Sequence, residues 1–260
     1  MIISPNYKDA LQLPIFDIIS KAAAELNVDV YVIGGYVRDF ILERGTKKDI
    51  DIVAVGSGID LALKVSELIP HHPKVQVFKN YGTAMLRFDD MDIEFVGARK
   101  ESYRQESRNP LVEDGTLQDD QNRRDFTINA MAFSLNANNL GDLVDPFGGM
   151  VDLENKLIRT PLDADITYSD DPLRMMRAIR FANQLNFTIE EKSLDAISRN
   201  AERIKIISGE RIVEELNKIL EDTNNPVQIV LTSQHVLFKT DDVLFFSRLL
   251  EGNYQDTSRL

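Results

Sequence analysis

The sequence predicts a mixed α/β fold, of the α+β kind, with a sheet in its first part and helices after it. An apolar, β-branched run over Val30–Ile33 ends at a glycine pair, which is typical of a buried strand that leads into a tight turn. Two alternating segments, 83–88 and 91–96, flank Asp89-Asp90 and indicate a hairpin. From about Ser169 onward, apolar residues recur with the helical period. We therefore expect a mixed sheet within residues 1–160, a helical region over 161–225 and a short β segment within 226–260.

The elements of the first region follow from the spacing of their apolar residues. We expect helices over 15–26, 36–44 and 60–69, and strands over 28–33, 50–55, 74–78, 83–88 and 91–96. Residues 97–122 are polar and show no clear period, which predicts a long loop. A helix with one buried face is expected to follow over 125–133.

The composition of the 260 residues is typical of a soluble globular chain, with 43% hydrophobic and 28% charged residues. No apolar run approaches the roughly 20 residues of a transmembrane helix, and Met1–Asn6 lack the basic region of a signal peptide, so we expect no membrane partner. The absence of cysteine excludes disulfides and thiolate metal sites and fits a cytoplasmic location. A net charge of −12 argues against tight, non-specific binding to polyanions, although uneven charge and bound cations soften that argument.

The glycine pair Gly34-Gly35 is a candidate phosphate site. Neither residue carries a Cβ, so a phosphate can approach the backbone closely after the predicted strand. A glycine pair alone is most often a plain turn. The interpretation therefore depends on what lies beside it.

Three carboxylates lie on the predicted strands that follow. Asp49 and Asp51 are one residue apart and therefore face the same side of their strand. Glu94 is a candidate third carboxylate, although an acid at such a position commonly faces solvent. Mg²⁺ takes oxygen ligands, and paired metals lie roughly 3.5–4 Å apart. Together with the glycine pair, the aspartates predict metal-dependent phosphoryl or nucleotidyl transfer.

The helix predicted after Pro172 has an unusual charge pattern. Arg174, Arg177 and Arg180 follow at a spacing of three, and arginine in a first turn opposes the helix dipole. This placement is consistent with an anion bound there. It is equally consistent with an exposed helix in which the first arginine pairs with a preceding aspartate.

Taken together, these segments resemble the tRNA nucleotidyltransferase and poly(A) polymerase family, in its bacterial class. They occur in family order across roughly residues 15–222. The matching segments are Gly34-Gly35-Tyr36-Val37-Arg38-Asp39, Asp49-Ile50-Asp51, Gly115-Thr116-Leu117-Gln118-Asp119-Asp120, Arg123-Arg124-Asp125-Phe126-Thr127-Ile128-Asn129-Ala130, Asp145-Pro146-Phe147-Gly148-Gly149, Asp170-Asp171-Pro172-Leu173-Arg174 and Gly209-Glu210-Arg211-Ile212.

The resemblance implies a polymerase-β-like nucleotidyltransferase head followed by a helical neck. It implies that Asp49 and Asp51 hold two Mg²⁺ ions, with Glu94 as the third catalytic carboxylate. In the family, an Asp and an Arg of the neck helix read the base of the incoming nucleotide. The implied reaction is attack of the tRNA 3′-hydroxyl on the α-phosphorus of CTP or ATP, which builds the CCA end. The residues that the resemblance assigns to nucleotide binding are Gly34, Gly35, Arg38, Arg124, Asp171, Arg174, Arg177 and Arg180.

Several alternatives stay open at this point. A poly(A) polymerase, or an enzyme that adds only CC or only A, shares most of these segments, and the intact stretch over 97–122 favours terminal A addition. A non-catalytic nucleic-acid-binding or replication-associated protein is a further alternative, but it would not need the metal carboxylates. The sequence does not predict an oligomeric state.

The last part of the chain departs from the family. Residues 227–260 have a strand-like pattern and resemble a fragment of the bacterial DNA sliding clamp, the polymerase III β subunit. We expect a fusion junction near Asn224–Pro226, so that the family's body and tail regions are missing. The alternative is a divergent helical body.

Overall fold

A mixed sheet of seven strands lies at the centre of the first part of the chain in this computed structural model, which describes residues 6–45, 48–104 and 107–221. The strands are β1 (Val30–Ile33), β2 (Asp49–Ala54), β3 (Gln76–Phe78), β4 (Thr83–Phe88), β5 (Met91–Gly97), β6 (Arg99–Arg104), β7 (Ser107–Asp114), β8 (Ala132–Ser134), β9 (Leu143–Val144), β10 (Leu157–Ile158) and β11 (Thr188–Ile189). The order in the large sheet is β3-β4-β5-β2-β1-β8-β9. Strands β2 and β5 run parallel and the other neighbours run antiparallel. Two small sheets pair β6 with β7 and β10 with β11.

The described residues also contain nine helices. They are α1 (Pro14–Leu26), α2 (Gly35–Ile41), α3 (Gly58–Leu68), α4 (Leu117–Asn122), α5 (Gly149–Glu154), α6 (Ala164–Asp170), α7 (Leu173–Leu185), α8 (Glu191–Asn200) and α9 (Gly209–Glu221). Short 3-10 turns lie at Lys8–Leu11, Lys79–Tyr81, Thr127–Asn129 and Ala201–Ile206. In this part of the chain, no helix is both long and apolar enough to cross a membrane.

Local sequence signals explain where the longer helices begin and end. Helix α1 starts at Pro14, whose fixed φ suits the first turn, and ends where Asn27 adopts the left-handed conformation with φ of 53°. The Ser57 hydroxyl accepts the backbone N–H of Asp60 and caps α3. Helix α7 ends at Asn186, which also has a positive φ of 55°. These caps fix the positions of the helices along the chain.

Buried apolar side chains lie on both faces of the sheet. Ile50 and Ile52 of β2, and Ile93 and Phe95 of β5, are at most 1% exposed. Because side chains alternate along a strand, the acids between them project from the opposite face. Helix α3 packs against β2, β4 and β5. One face of β2 and β5 is therefore apolar, whereas the other carries the carboxylates, represented on β5 by Glu94, and a smaller buried cluster that includes Ile33, Val53 and Ala132.

The chain divides into two compact units. The first unit comprises the residues up to Ser102 together with Pro110–Leu153, and the second comprises Tyr103–Asn109 and the residues from Glu154 onward. The sequence places this boundary near residue 160. Within the second unit, α6 packs against α8 and α7 packs against α9.

The predicted fold class is confirmed, and two local predictions are wrong. Residues 97–122 form β6, β7 and α4 rather than a loop, because two polar strands that pair only with each other need no apolar alternation. Residues 125–133 form the turn Thr127–Asn129 and then β8 rather than a helix, since this run is buried on all sides and shows no helical period. The predicted β segment within 226–260 and the junction near Asn224–Pro226 lie outside the described residues.

Candidate active site

The turn after β1 brings the backbone close to two charged side chains. Gly34 has φ of 83°, in the region that favours glycine, and its N–H donates to the carbonyl of Met131 over 3.2 Å. A Cβ atom on Gly34 would lie 3.1 Å from Arg124 Nη1 and 3.4 Å from Asp51 Oδ2. Gly34, Asp51 and Arg124 therefore converge at one point. This position tolerates no larger residue without a shift of these groups.

The three predicted carboxylates lie on one face of the sheet. Asp49 and Asp51 are separated by the buried Ile50, so both project from the same side of β2. Asp51 is directly opposite Glu94 in the parallel pairing of β2 with β5. On its other side, Asp51 is opposite Ile33, the last residue before the glycine turn. The register thus places the third carboxylate beside the first two.

Negative charge is concentrated at this position. Burial raises the pKa of Asp51; Arg124 opposes the rise, and Asp120 and Asp49 add to it. Partial withdrawal from water also raises the pKa of Glu94, and the neighbouring charge of Asp51 adds to that rise. Burial and the proximity of like charges both raise the pKa values of these carboxyl groups, and the nearby arginines offset only part of the rise.

A buried carboxylate that the sequence analysis did not assign holds the arginines of this site. Asp120, on the short helix α4, has no exposed surface. Its Oδ1 accepts from Arg123 Nε over 2.9 Å, and its Oδ2 accepts from Arg124 Nε over 3.2 Å. Burial opposes ionisation of Asp120, but the two arginines outweigh it and hold its pKa below the ordinary value. The spacing of three and four residues in Asp120-x-x-Arg123-Arg124 fits such a cluster, but the same spacing is typical of an exposed ion pair and does not indicate burial.

Arg38 lies beneath the glycine turn and is 3% exposed. Its Nε and Nη2 donate to the two carboxylate oxygens of Asp39 over 2.9 Å each, and its Nη1 donates to Asn129 Oδ1 over 2.6 Å. Asn129 donates in turn to Asp125 Oδ1 over 3.0 Å. A Cβ atom on Gly35 would lie 3.7 Å from Arg38 Nη2. The arginine therefore ties α2 to the turn at 127–129, and its role toward a triphosphate stays a prediction.

The predicted base-reading residues lie in the second unit, at the start of α7. The Asp171 carboxylate, which immediately precedes the N-cap residue Pro172, accepts the backbone N–H of Leu173 over 3.2 Å at the start of α7. Arg174 Nη1 donates to the carbonyl of Thr167 over 3.4 Å. Both residues are only partly buried. Their roles toward a base stay predictions.

The other two predicted arginines of α7 contact an aromatic ring and a second helix. Arg177 and Arg180 lie 5.3 and 4.4 Å from the ring centre of Phe181. Arg180 Nε also donates over 2.5 Å to Glu215 of α9, whose side chain is 4% exposed. This ion pair between α7 and α9 was not predicted from the sequence.

The donor chemistry of the first unit fits a hard divalent cation. Asp49, Asp51 and Glu94 offer oxygen ligands, and their mutual repulsion would be relieved by positive charge. Among the described residues, no three His, Cys, Asp or Glu side chains form a metal site by themselves. Mg²⁺ is usually held by one or two carboxylates together with substrate phosphates, so such an open set is compatible with it.

Known proteins resemble this chain in both sequence and structure. The model of the poly A polymerase head domain matches residues 30–159, which is half of the chain, and that of the probable RNA and SrmB-binding site of polymerase A matches residues 186–228. An A-adding tRNA nucleotidyltransferase of Aquifex aeolicus is 36% identical over 74% of this chain and 23% of its own length. A CCA-adding enzyme of a Geobacillus species is 37% identical over 74% of this chain and 46% of its own length.

The fold is shared with solved structures of the same kind. The CCA-adding enzyme of Thermotoga maritima, solved with tRNA, superposes with a TM-score of 0.78 and 30% identity, over 97% of this chain and 61% of its own. The chain spans about a quarter to a half of the length of these curated relatives. Since the head model covers half of its residues, this chain belongs to the poly A polymerase head domain family.

Proposed function

We propose that this chain is a nucleotidyltransferase that adds CMP and AMP, from CTP and ATP, to the 3′ end of tRNA and so completes the CCA sequence. The observation that carries the proposal is the row of carboxylates beside the glycine turn. Asp51 and Glu94 are direct neighbours across β2 and β5, and Asp51 and Arg124 converge on Gly34. Relatives that carry out tRNA 3′-end addition support this reaction class.

The residues of the first unit would position the substrates and stabilise the charge that develops during the reaction. Asp49 and Asp51 would hold two Mg²⁺ ions, with Glu94 as the third catalytic carboxylate beside them. When bound, these ions supply activation of the primer hydroxyl and neutralisation of the leaving pyrophosphate. Gly34 leaves room for the triphosphate to approach the backbone, and Arg124 donates to its oxygens while Asp120 holds the guanidinium in place.

The second unit would supply nucleotide selection. Asp171 offers a hydrogen-bond acceptor and Arg174 a donor, a pair that can read the edge of a cytosine or an adenine. Since Asp171 also accepts from Leu173, its carboxylate is held in a fixed position. A fixed acceptor discriminates between bases because a wrong edge leaves a polar group unpaired.

The decisive experiment uses two tRNA acceptors, one that lacks the whole CCA end and one that ends in CC. Each is incubated with magnesium and a single labelled nucleotide, and then with CTP and ATP together. We expect two C residues and one A on the first acceptor and one A on the second. Asp51→Asn serves as the inactive control. Failure to incorporate any nucleotide on either acceptor would refute the proposal.

A second candidate, addition of the terminal A alone, has equal support from the relatives. A-adding enzymes and CCA-adding enzymes match this chain at similar identity, 36% and 37%. The same experiment separates the two functions, because an A-adding enzyme extends only the acceptor that ends in CC. Long tracts of A on either acceptor would instead indicate a poly(A) polymerase.

A further inference from the structure

An exposed aromatic segment lies at the edge of the large sheet. All residues over 76–82 are exposed, including edge strand β3 and the turn that follows it. Tyr81 is 71% exposed and Phe78 is 43% exposed. Val77 is 37% exposed as well, so three apolar side chains of one short segment face solvent, which is typical of a binding surface. The proposed catalytic residues do not include this segment.

The strand register places Phe78, the last residue of β3, on the carboxylate face. Phe78 is opposite Thr83 on β4, and Thr83 is opposite Val96 on β5. Val96 is two residues beyond Glu94, so both project from the same face of β5. Strand spacings of about 4.8 Å and a rise of about 3.4 Å per residue place Phe78 about 12 Å from Glu94. A short run of nucleotides spans that distance.

Arg99 connects the aromatic segment to the carboxylates. It is the first residue of β6, and its Nη1 donates to the carbonyl of Tyr81 over 3.1 Å. Its positive charge also acts on Glu94, where it opposes the rise of that pKa. A cation therefore lies at the exposed turn, and its charge acts on the third carboxylate. The turn itself adds the exposed Lys79.

We propose that Phe78, Tyr81 and Arg99 form the surface that holds the 3′-terminal nucleotides of the RNA acceptor. The proposal rests on the proposed function, since it places the terminal hydroxyl at Glu94. Single-stranded RNA is bound through bases stacked on aromatic rings and phosphates paired with cations, which is the combination present here. Continuity with the carboxylates distinguishes this face from a site for a protein partner.

The stacking part of the proposal is tested with a tRNA acceptor that carries 2-aminopurine at its terminal position. Stacking on Tyr81 should quench the fluorescence of this base, and the signal reports binding without any reaction. We expect Tyr81→Ala to weaken binding and to raise the KM for the acceptor by roughly 5- to 100-fold. Tyr81→Phe keeps the ring and should match the wild type. Leu63→Ala is the matched control, because it removes an exposed apolar side chain from α3.

The phosphate part is tested through the salt dependence of the same binding signal. Arg99→Ala should lower the slope of log affinity against log salt by about 0.7, the value for one single-strand phosphate contact. Arg99→Lys should restore the slope, and Lys21→Ala, a cation on α1, should leave it unchanged.

The outcomes separate this proposal from the proposed function. Quenching by the wild-type chain without nucleotide incorporation would refute the reaction and support the RNA surface. Normal incorporation with an unchanged acceptor KM and unchanged quenching in Tyr81→Ala would refute the RNA surface alone. A loss of affinity for CTP that equals the loss for the acceptor would also refute it, because the surface would then act on the whole site.

Discussion

The substitution Asp120→Asn tests the idea that a buried carboxylate organises the arginines of the site. Asp120 accepts hydrogen bonds from Arg123 and Arg124 and has no exposed surface. Asparagine has nearly the same shape and keeps one acceptor oxygen, but it carries no charge. We expect the variant to fold, to be less stable, and to bind CTP and ATP more weakly because Arg124 is no longer held.

The expected loss of stability follows from the burial of the three side chains. Removal of one partner of a buried ion pair typically costs about 3–5 kcal/mol. The side chains of Arg123 and Arg124 keep 19% and 15% exposure, so water compensates part of the loss. We therefore expect the free energy of unfolding at pH 7 to fall by about 3 kcal/mol, toward the lower end of that range.

Urea unfolding at several pH values checks this estimate and its cause. The pKa of Asp120 is lowered in the folded state, so its stabilisation is present above about pH 4 and is lost as the pH falls through the folded value. The difference between wild type and Asp120→Asn should therefore shrink in acid. Asp119→Asn is the matched control on the same helix, where the exposed carboxylate bonds only Thr116. Equal losses in both variants, or a difference that persists at low pH, would refute the reasoning.

Three further predictions follow from the other charged groups. Asp51→Asn should abolish nucleotide incorporation and leave the free energy of unfolding at pH 7 unchanged or higher. The pKa of Asp51 is raised in the folded state, so ionisation of this carboxyl group costs stability. A strongly destabilised variant would contradict this reasoning. Asp171→Ala should reduce the discrimination among the four nucleotides by about 1–3 kcal/mol. Asp163→Ala, which removes the N-cap of α6, should leave this discrimination unchanged. An equal loss of affinity for all four nucleotides would show that Asp171 only stabilises the start of α7. Glu215→Gln breaks a buried ion pair and should lower the free energy of unfolding, measured in urea titrations, by about 3–5 kcal/mol. Glu214→Gln, on the exposed side of α9, should have little effect. Equal effects of the two variants would contradict the assignment.

The sheet and the first helices were predictable because their sequence patterns are local. The segments over 83–88 and 91–96 alternate cleanly and form β4 and β5 as predicted, within one residue. The stretch 97–122 was not predictable by the same argument. Its strands β6 and β7 pair with each other in a two-stranded sheet, so no buried face imposes an alternating pattern on them.

The part of the candidate site that follows from the side-chain period of a strand was predictable from the sequence. The part that depends on the burial of a charged side chain was not. Asp49 and Asp51 share a face because the side-chain period of a strand is two, and their place beside Glu94 needed only the parallel pairing. Asp120 gave no comparable signal, because an acid three and four residues before two arginines usually forms a solvated pair. The fold makes the difference, since α4 is short and carries this one carboxylate into the interior.

The chain has a net charge of −12, yet its proposed substrate is a polyanion. The local arrangement of its charged residues, rather than the net charge, accounts for this contrast. The charges that act on Glu94 include Arg99, Arg123 and Arg124, so three arginines lie around the carboxylates. At physiological ionic strength the Debye length is about 8 Å, and exposed charges farther away than that are largely screened. An RNA end at this site therefore meets the local arginines, while the acidic remainder of the surface repels RNA that approaches elsewhere. The net charge thus predicts low affinity for RNA in general and is compatible with binding of one end at one place.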